Sequence, residues 1–244
     1  QTLSVVGPLA RTVSDIGLAL DSMVGYSAYD PLTSPRENCC YRRAAEMPSK
    51  PSLFAFSEDL GTLKVSREIR SIVKQAVSIL ESECVFVETS HPDLSSAQEI
   101  FKPLRAAQFS GLYSYILNKN RSLLKPEVVW NIEQGLALTA GELNEADRKR
   151  GLFRDNLLHF LDKYRFLITP TAPVAPNMAT ERYVSEIDGE QMTDYLGWLG
   201  LGYSITISGC PAISVPCGFT EDGLPVGLQI VAHPYCEEDL LSFA

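Results

Sequence analysis

Apolar residues at Val13, Ile16, Ala19, Leu20, Met23 and Val24 recur at steps of three and four, the spacing that keeps side chains on one face of an α-helix. Thr12 stands at the capping position with Asp15 three residues on, and Gly25 marks the end. A stretch rich in turn formers follows through Asp30-Pro31, Ser34-Pro35, Pro48 and Pro51. It leads to Leu53-Phe54-Ala55-Phe56, an apolar run of strand length. Next comes the clearest helical stripe. Ser66 is its cap, Ile69, Ile72, Val73, Ala76, Val77 and Leu80 lie on one side, and Arg67, Arg70, Lys74 and Gln75 on the other. Cys84-Val85-Phe86-Val87 reads as a second strand. Strand, helix and strand at this spacing predict a βαβ unit, hence two parallel neighbours joined by a right-handed crossover.

Residues 95–164 are helical in pattern throughout. Ser96 and Glu99 have the form of a capping box, Pro126 suits a first helical turn, and Asn144 heads a stripe of Leu152, Phe153, Leu157, Phe160 and Leu161. Pro103 is expected to start or kink a helix, and Gly111, Gly135 and Gly141 to mark close packing or ends. The texture then changes to Phe166-Leu167-Ile168-Thr169, a buried strand, and Pro170-Thr171-Ala172-Pro173, a rigid loop. The remainder predicts a helix over 193–207 and strands over 212–215 and 225–231, the last two joined by a turn at Asp222-Gly223 and so antiparallel. Parallel and antiparallel pairings together predict an α/β fold, a mixed β-sheet wrapped by helices.

A core for such a fold is available: 45% of the 244 residues are hydrophobic and 21% charged, which excludes wholesale disorder. With 21 Lys and Arg against 30 Asp and Glu, the net charge of −9 repels phosphate backbones and anionic lipid surfaces alike. No nucleic-acid or membrane partner is expected, and no apolar run approaches the ~20 residues of a membrane helix. Six cysteines, at 39, 40, 84, 210, 217 and 236, show no Cys-x-x-Cys pair and are too sparse for a secreted disulfide scaffold. Free thiols and a cytoplasmic location follow as expectations. His91, His159 and His233 have no second ligand at metal-site spacing, so neither a metal nor a cofactor is expected.

Familiar catalytic patterns are missing. No serine is flanked as Gly-x-Ser-x-Gly, there is no phosphate-binding Gly-x-x-x-x-Gly-Lys, and Gly200-Leu201-Gly202 lacks the third glycine and preceding strand of a dinucleotide site. Glu237-Glu238-Asp239 reads as a solvated first helical turn matched to the helix dipole.

Three segments nevertheless resemble the amidase signature family. They are Gly7-Pro8-Leu9-Ala10-Arg11-Thr12-Val13-Ser14-Asp15, Leu167-Ile168-Thr169-Pro170-Thr171-Ala172-Pro173, and Ser208-Gly209-Cys210-Pro211-Ala212-Ile213-Ser214-Val215-Pro216-Cys217-Gly218-Phe219 running on into Asp222-Gly223-Leu224-Pro225-Val226-Gly227-Leu228-Gln229-Ile230. The resemblance implies a serine hydrolase of amide bonds that uses a Ser, a second Ser on a cis peptide bond and a Lys. All three belong to the family's N-terminal half. Residues 1–244 are therefore expected to form the C-terminal portion of a single amidase domain within a longer protein, and no catalytic residue is assigned here.

For substrate binding, the resemblance points to the 169–173 loop, with Thr169 and Thr171, and to the helix before Gly209-Cys210-Pro211, with Trp198, Leu201 and Ile205 at helical spacing. Packing in the core is the alternative role for all of these. Relatives that hydrolyse glutamine need polar groups for a zwitterion, whereas the corresponding stretches here read Val129-Trp130-Asn131 and Gly197-Trp198-Leu199. The expected partner is accordingly a small-molecule amide with an apolar or aromatic acyl group; a homodimer is an open expectation. The alternatives are the glutamine-hydrolysing subunit of a transfer-RNA amidotransferase and a binding protein that has lost catalysis.

Overall fold

The computed structural model describes residues 3, 5–30, 32–33, 39–49, 53–83 and 86–244. Its sheet strands are β1 (Leu53–Phe56), β2 (Phe86–Thr89), β3 (Phe166–Pro170), β6 (Ala212–Phe219) and β7 (Pro225–Ala232), while β4 (Glu186–Ile187) and β5 (Glu190–Gln191) form a separate small hairpin. The sheet runs β2-β1-β3-β7-β6. β1 is parallel to both β2 and β3, whereas β7 is antiparallel to β3 and to β6, which makes the sheet mixed as the pattern predicts. The crossover between β1 and β2 is α3 (Arg67–Ser82), where the Ser66 side chain accepts from the Ile69 N–H and Ile69, Val73 and Val77 are buried. The second strand lies slightly later than predicted, and Cys84 and Val85 fall outside the described residues.

Side chains alternate across the sheet, and the two faces differ. On one, Phe54 and Phe166 stack, and α8 (Glu237–Phe243) lays Phe243 against both, with ring centroids 4.6 and 5.2 Å away. The opposite face carries Leu167, Thr169, Gln229 and Val231.

Near the start, α1 (Val13–Met23) is capped as predicted, the Asp15 N–H donating to Thr12 Oγ1 at 3.1 Å. Its apolar stripe is narrower than the periodicity implies. Val13, Ile16 and Leu20 lean on the core, whereas Met23 and Val24 are exposed. A short helix, α2 (Tyr41–Ala45), lies in what reads as continuous turn-rich chain. Its own N-cap, Cys40, makes no side-chain bond. Instead Asp21 of α1 accepts from the Tyr41 and Arg42 N–H groups at 2.7 and 3.1 Å, a cap supplied from another helix and invisible to local pattern.

Three helices, α4 (Ala97–Asn120), α5 (Pro126–Ala137) and α6 (Ala140–Lys163), fill the middle of the chain. Pro126 opens α5 as expected. Pro103 does not start a helix, since α4 begins at Ala97 and runs through it as one element. The box expected at Ser96 and Glu99 is not formed: Ser96 has helical angles and caps nothing, and Glu99 pairs with Lys149 at 2.7 Å. The capping box sits at Thr139 and Glu142, so α6 starts before Asn144. Gly135 is a true contact point, where a Cβ would lie 2.0 Å from the Ala106 carbonyl oxygen. Gly111 faces open space.

The helix predicted over 193–207 is shorter. Asp194 accepts from the Leu196 N–H at 2.9 Å, a local turn that diverts the chain, and a 3-10 turn at Gly197–Leu199 precedes α7 (Gly200–Ser208). The β6–β7 hairpin closes as expected, with Gly223 at φ +78. The β4–β5 hairpin is built on Asp188-Gly189, both at positive φ, and its tip Asp188 accepts from the Arg67 N–H at the head of α3 at 2.9 Å.

Candidate functional site

The end of α7 is held from outside. Gly209 at φ +70 closes the helix; Arg150 of α6 donates to the Ile207 carbonyl at 2.7 Å and Arg154 to the Ser208 carbonyl. Two guanidinium groups thus meet the negative end of the helix dipole. Ser208 Oγ donates to the Ile205 carbonyl at 2.6 Å and accepts from the Cys210 N–H at 3.1 Å, which locks the turn into Pro211. Burial pushes the Cys210 thiol up, so it is a packing group here. Within this clamp Leu201 and Ile205 are 1% and 3% exposed and belong to the main core. Of the expected pocket wall, Trp198 lies in the 3-10 turn that precedes α7, and Leu201 and Ile205 lie on α7 itself.

Thr169 and Thr171 are brought together, on a polar row that crosses the apolar sheet. Thr169 on β3 is in register with Gln229 on β7, which is in register with Ser214 on β6. Thr171 Oγ1 and Ser214 Oγ are 2.6 Å apart, reaching each other over Gly227, where a Cβ would lie 2.9 Å from both oxygens. Among the described residues, Thr169 Oγ1 and Gln229 Nε2 are buried without hydrogen-bond partners, whereas Ser214 is open to solvent. Buried polar atoms left unpaired are costly and therefore rare. A hydroxyl and an amide N–H in this state, at the covered end of a row whose other end is open, can accept from and donate to a polar group.

A second cluster links the Val129-Trp130-Asn131 stretch to Tyr195, which precedes Gly197-Trp198-Leu199. Asn131 on α5 is 1% exposed, and its Nδ2 donates to the Glu127 carbonyl at 2.8 Å and to the Tyr195 hydroxyl. The Tyr195 ring meets Trp130 edge-on at 5.9 Å and Tyr183 at 6.3 Å. Asn131 Oδ1 and, three residues beyond Tyr195, Trp198 Nε1 are again buried and without a hydrogen-bond partner among the described residues. Flanking charges cancel in pairs, Arg182 with Glu127 at 2.6 Å and Lys102 with Asp194 at 2.5 Å. Trp130 also borders a cavity of about 650 Å³ between α4, α5 and α6, with Pro103, Ala106, Leu138 and Ala146 on its apolar wall. None of Thr169, Thr171, Trp198, Leu201 or Ile205 lines it. Sequence reasoning did not single out Ser214, Gln229 or Tyr195 for a site; their roles depend on strand register and on a contact between distant segments. Asn131 lies within the Val129-Trp130-Asn131 stretch, where a local signal was present.

The amidase family model matches residues 1–241. An acylamidase of Rhodococcus erythropolis is 30% identical over 230 residues, covering 93% of this chain and 48% of that protein. A glutamyl-tRNA(Gln) amidotransferase subunit of Thermodesulfovibrio yellowstonii is 27% identical over 268 residues, covering 100% of this chain and 54% of its own length. The crystal structure of a bacterial aryl acylamidase of the amidase signature enzymes superposes with a TM-score of 0.88 at 19% identity, over 97% of this chain and 51% of that one. The chain spans about half the length of these relatives. With a family match over nearly all its residues and a mixed sheet wrapped by helices as the resemblance implies, the chain belongs to the amidase signature family.

Proposed function

We propose that this chain is the C-terminal portion of an amidase that hydrolyses a carboxylic amide with an apolar or aromatic acyl group, releasing a carboxylate and ammonia or an amine. The observation that carries the reading is the Trp130, Asn131, Tyr195 cluster with Trp198 close by in sequence, flanked by the ion pairs Arg182–Glu127 and Lys102–Asp194. A zwitterionic substrate such as glutamine needs one free cation and one free anion, and Arg182, Glu127, Lys102 and Asp194 satisfy one another instead. That disfavours the amidotransferase reading, although relatives of that kind match at nearly the same identity.

In this reading the nucleophilic Ser, the bridging Ser and the Lys lie in a preceding portion of the protein. A neutral Lys takes a proton from the bridging Ser, which takes one from the nucleophile; backbone N–H groups stabilise the oxyanion, and the bridging Ser returns the proton to the leaving nitrogen. This chain contributes acyl-group contacts, with Trp198, Thr169 and Thr171 as the proposed substrate-binding residues, and no cofactor takes part. No described helix is long and apolar enough to cross a membrane, and the described cysteines are free thiols. A cytoplasmic location and absence of nucleic-acid binding complete the proposal.

The test is kcat/KM of the complete protein on a bulky aryl amide, on acetamide and on glutamine. The aryl amide is expected to be preferred. Trp198→Ala should raise KM for it by the equivalent of about 2–3 kcal/mol, an aromatic contact made before and during attack, while acetamide changes little. Equal losses on both amides together with a lowered melting temperature would return Trp198 to the core. Preference for glutamine would favour the amidotransferase reading, and an inactive complete protein the binding-protein reading.

A further inference from the structure

Helix α4 carries Phe101, Arg105, Phe109 and Tyr113 at successive steps of four, and therefore along one face. The guanidinium carbon of Arg105 lies 4.5 Å from the Phe109 ring centroid and 5.7 Å from that of Phe101. Phe109 meets Tyr113 edge-on at 5.5 Å, and Phe101 stacks on Tyr203 of α7 at 4.6 Å, which fixes the near end of this aromatic row to the core. Together with Leu3, Gln108 and the exposed Leu112, these side chains line a cavity of about 190 Å³, and among the described residues Arg105 is the one charged group lining it.

Acidic residues outnumber basic ones 30 to 21, and exposed arginines such as Arg121, Arg148, Arg165 and Arg182 all reach a carboxylate. Among the described residues Arg105 has ring contacts only: its Nε is buried and makes no hydrogen bond. The ring faces hold the guanidinium in place, and the buried Nε is a donor whose missing acceptor an anion's oxygen would supply.

We propose that this cavity is a binding site for a small aryl carboxylate, the carboxylate accepting from the Arg105 guanidinium and the ring lying against Phe109 and Leu112. A planar fork of donors matches a carboxylate in two parallel bonds. Phe109 and Leu112 give a ring apolar contact beside the polar edge made by Arg105 and Gln108, a combination that suits a monoanion bearing a ring. The volume holds about one ring, well below the roughly 300–1,000 Å³ of drug-sized sites. An acid of this class is also what an aryl amidase releases, and that link alone rests on the proposed function.

The experiment titrates benzoate, its neutral isostere benzamide and inorganic phosphate into the protein without any activity assay, by calorimetry and ligand-detected saturation-transfer NMR. Wild type is expected to bind benzoate at least tenfold more tightly than benzamide, with phosphate a weak competitor. Arg105→Met, which removes the charge at similar volume, should abolish the discrimination, and Arg105→Lys should keep part of it. Leu112→Trp, at the exposed rim, should block benzoate by filling the cavity while leaving Arg105 in place, and melting curves verify that each variant is folded. Equal binding of benzoate and benzamide, competition by phosphate as strong as by benzoate, or unchanged benzoate affinity in either Arg105→Met or Leu112→Trp would each overturn the site.

Discussion

Strands β3 and β6 belong to one sheet and are both rich in apolar residues, yet they live in different surroundings. Every residue of β3 is buried, with β1 on one side, β7 on the other and packing on both faces. β6 has a neighbour on one side, and Ala212, Ser214, Pro216 and Phe219 are exposed along it. The lesson is that apolar character alone does not say whether a strand is finished. β3 is closed by partners within the chain, and β6 leaves a row of backbone and side chains open, the condition in which strands recruit further partners. The same contrast recurs wherever a described group is enclosed by this chain or left facing outward.

The largest test of that contrast is Phe166→Ala, which empties a site bounded by Phe54 and Phe243. It should cost about 3–5 kcal/mol in urea denaturation, whereas Ser214→Ala on β6 should stay within about 1 kcal/mol although it breaks the bond to Thr171. Comparable losses at the two positions would erase the distinction. Two glycines on adjoining helices sharpen it further. Gly135→Ala drives a methyl into the Ala106 carbonyl and should destabilise by about 1–3 kcal/mol, while Gly111→Ala, in open space within α4, should stabilise by about 0.5–1 kcal/mol.

Tyr203 extends the comparison to pH. Burial, aided by the charge of Asp194, pushes its phenol up to about 12. The fold favours the protonated form, so the stability this confers is complete below the unfolded value near 10 and is lost as pH rises through about 12, of order 2 kcal/mol. Absorbance at 295 nm should show a late tyrosinate component that Tyr203→Phe removes. The smallest effect concerns thiols and leaves stability alone. Iodoacetamide should modify exposed Cys40 well before Cys210, which is enclosed and whose thiol is raised by burial, as peptide mapping would reveal; equal rates would show that the α7 turn opens readily.

Legibility in sequence follows the same division. α3, β1, β3 and the β6–β7 hairpin were readable because cap, stripe, buried run and turn all lie within a few residues of one another. The Asp188-Gly189 turn carried an equally local signal, but its flanking strands of two residues each are too short to show alternation. α2 was hidden because its cap comes from Asp21, and the start of α6 because Thr139 competes with Asn144 as a polar residue at a plausible position. Of the expected site residues, Thr169 and Thr171 sit together on a polar row. For Leu201 and Ile205, which are buried in the core, helical spacing marks a face without saying whether that face meets a ligand or the protein. Ser214 and Gln229 become partners of that row only through register between strands far apart in the chain.

The order β2-β1-β3-β7-β6 also governs how the chain reaches this state. Phe54 pairs in register with Phe166, its parallel partner more than a hundred residues later, with α3 through α6 lying between them. Closing so long a loop must precede any return from the pairing, whereas the β6–β7 hairpin and the separate helices need local contacts only. Folding should therefore be limited by the docking of β1 onto β3, late and slow. Substitutions at that seam would then retard folding, and those in the hairpin would act chiefly on unfolding.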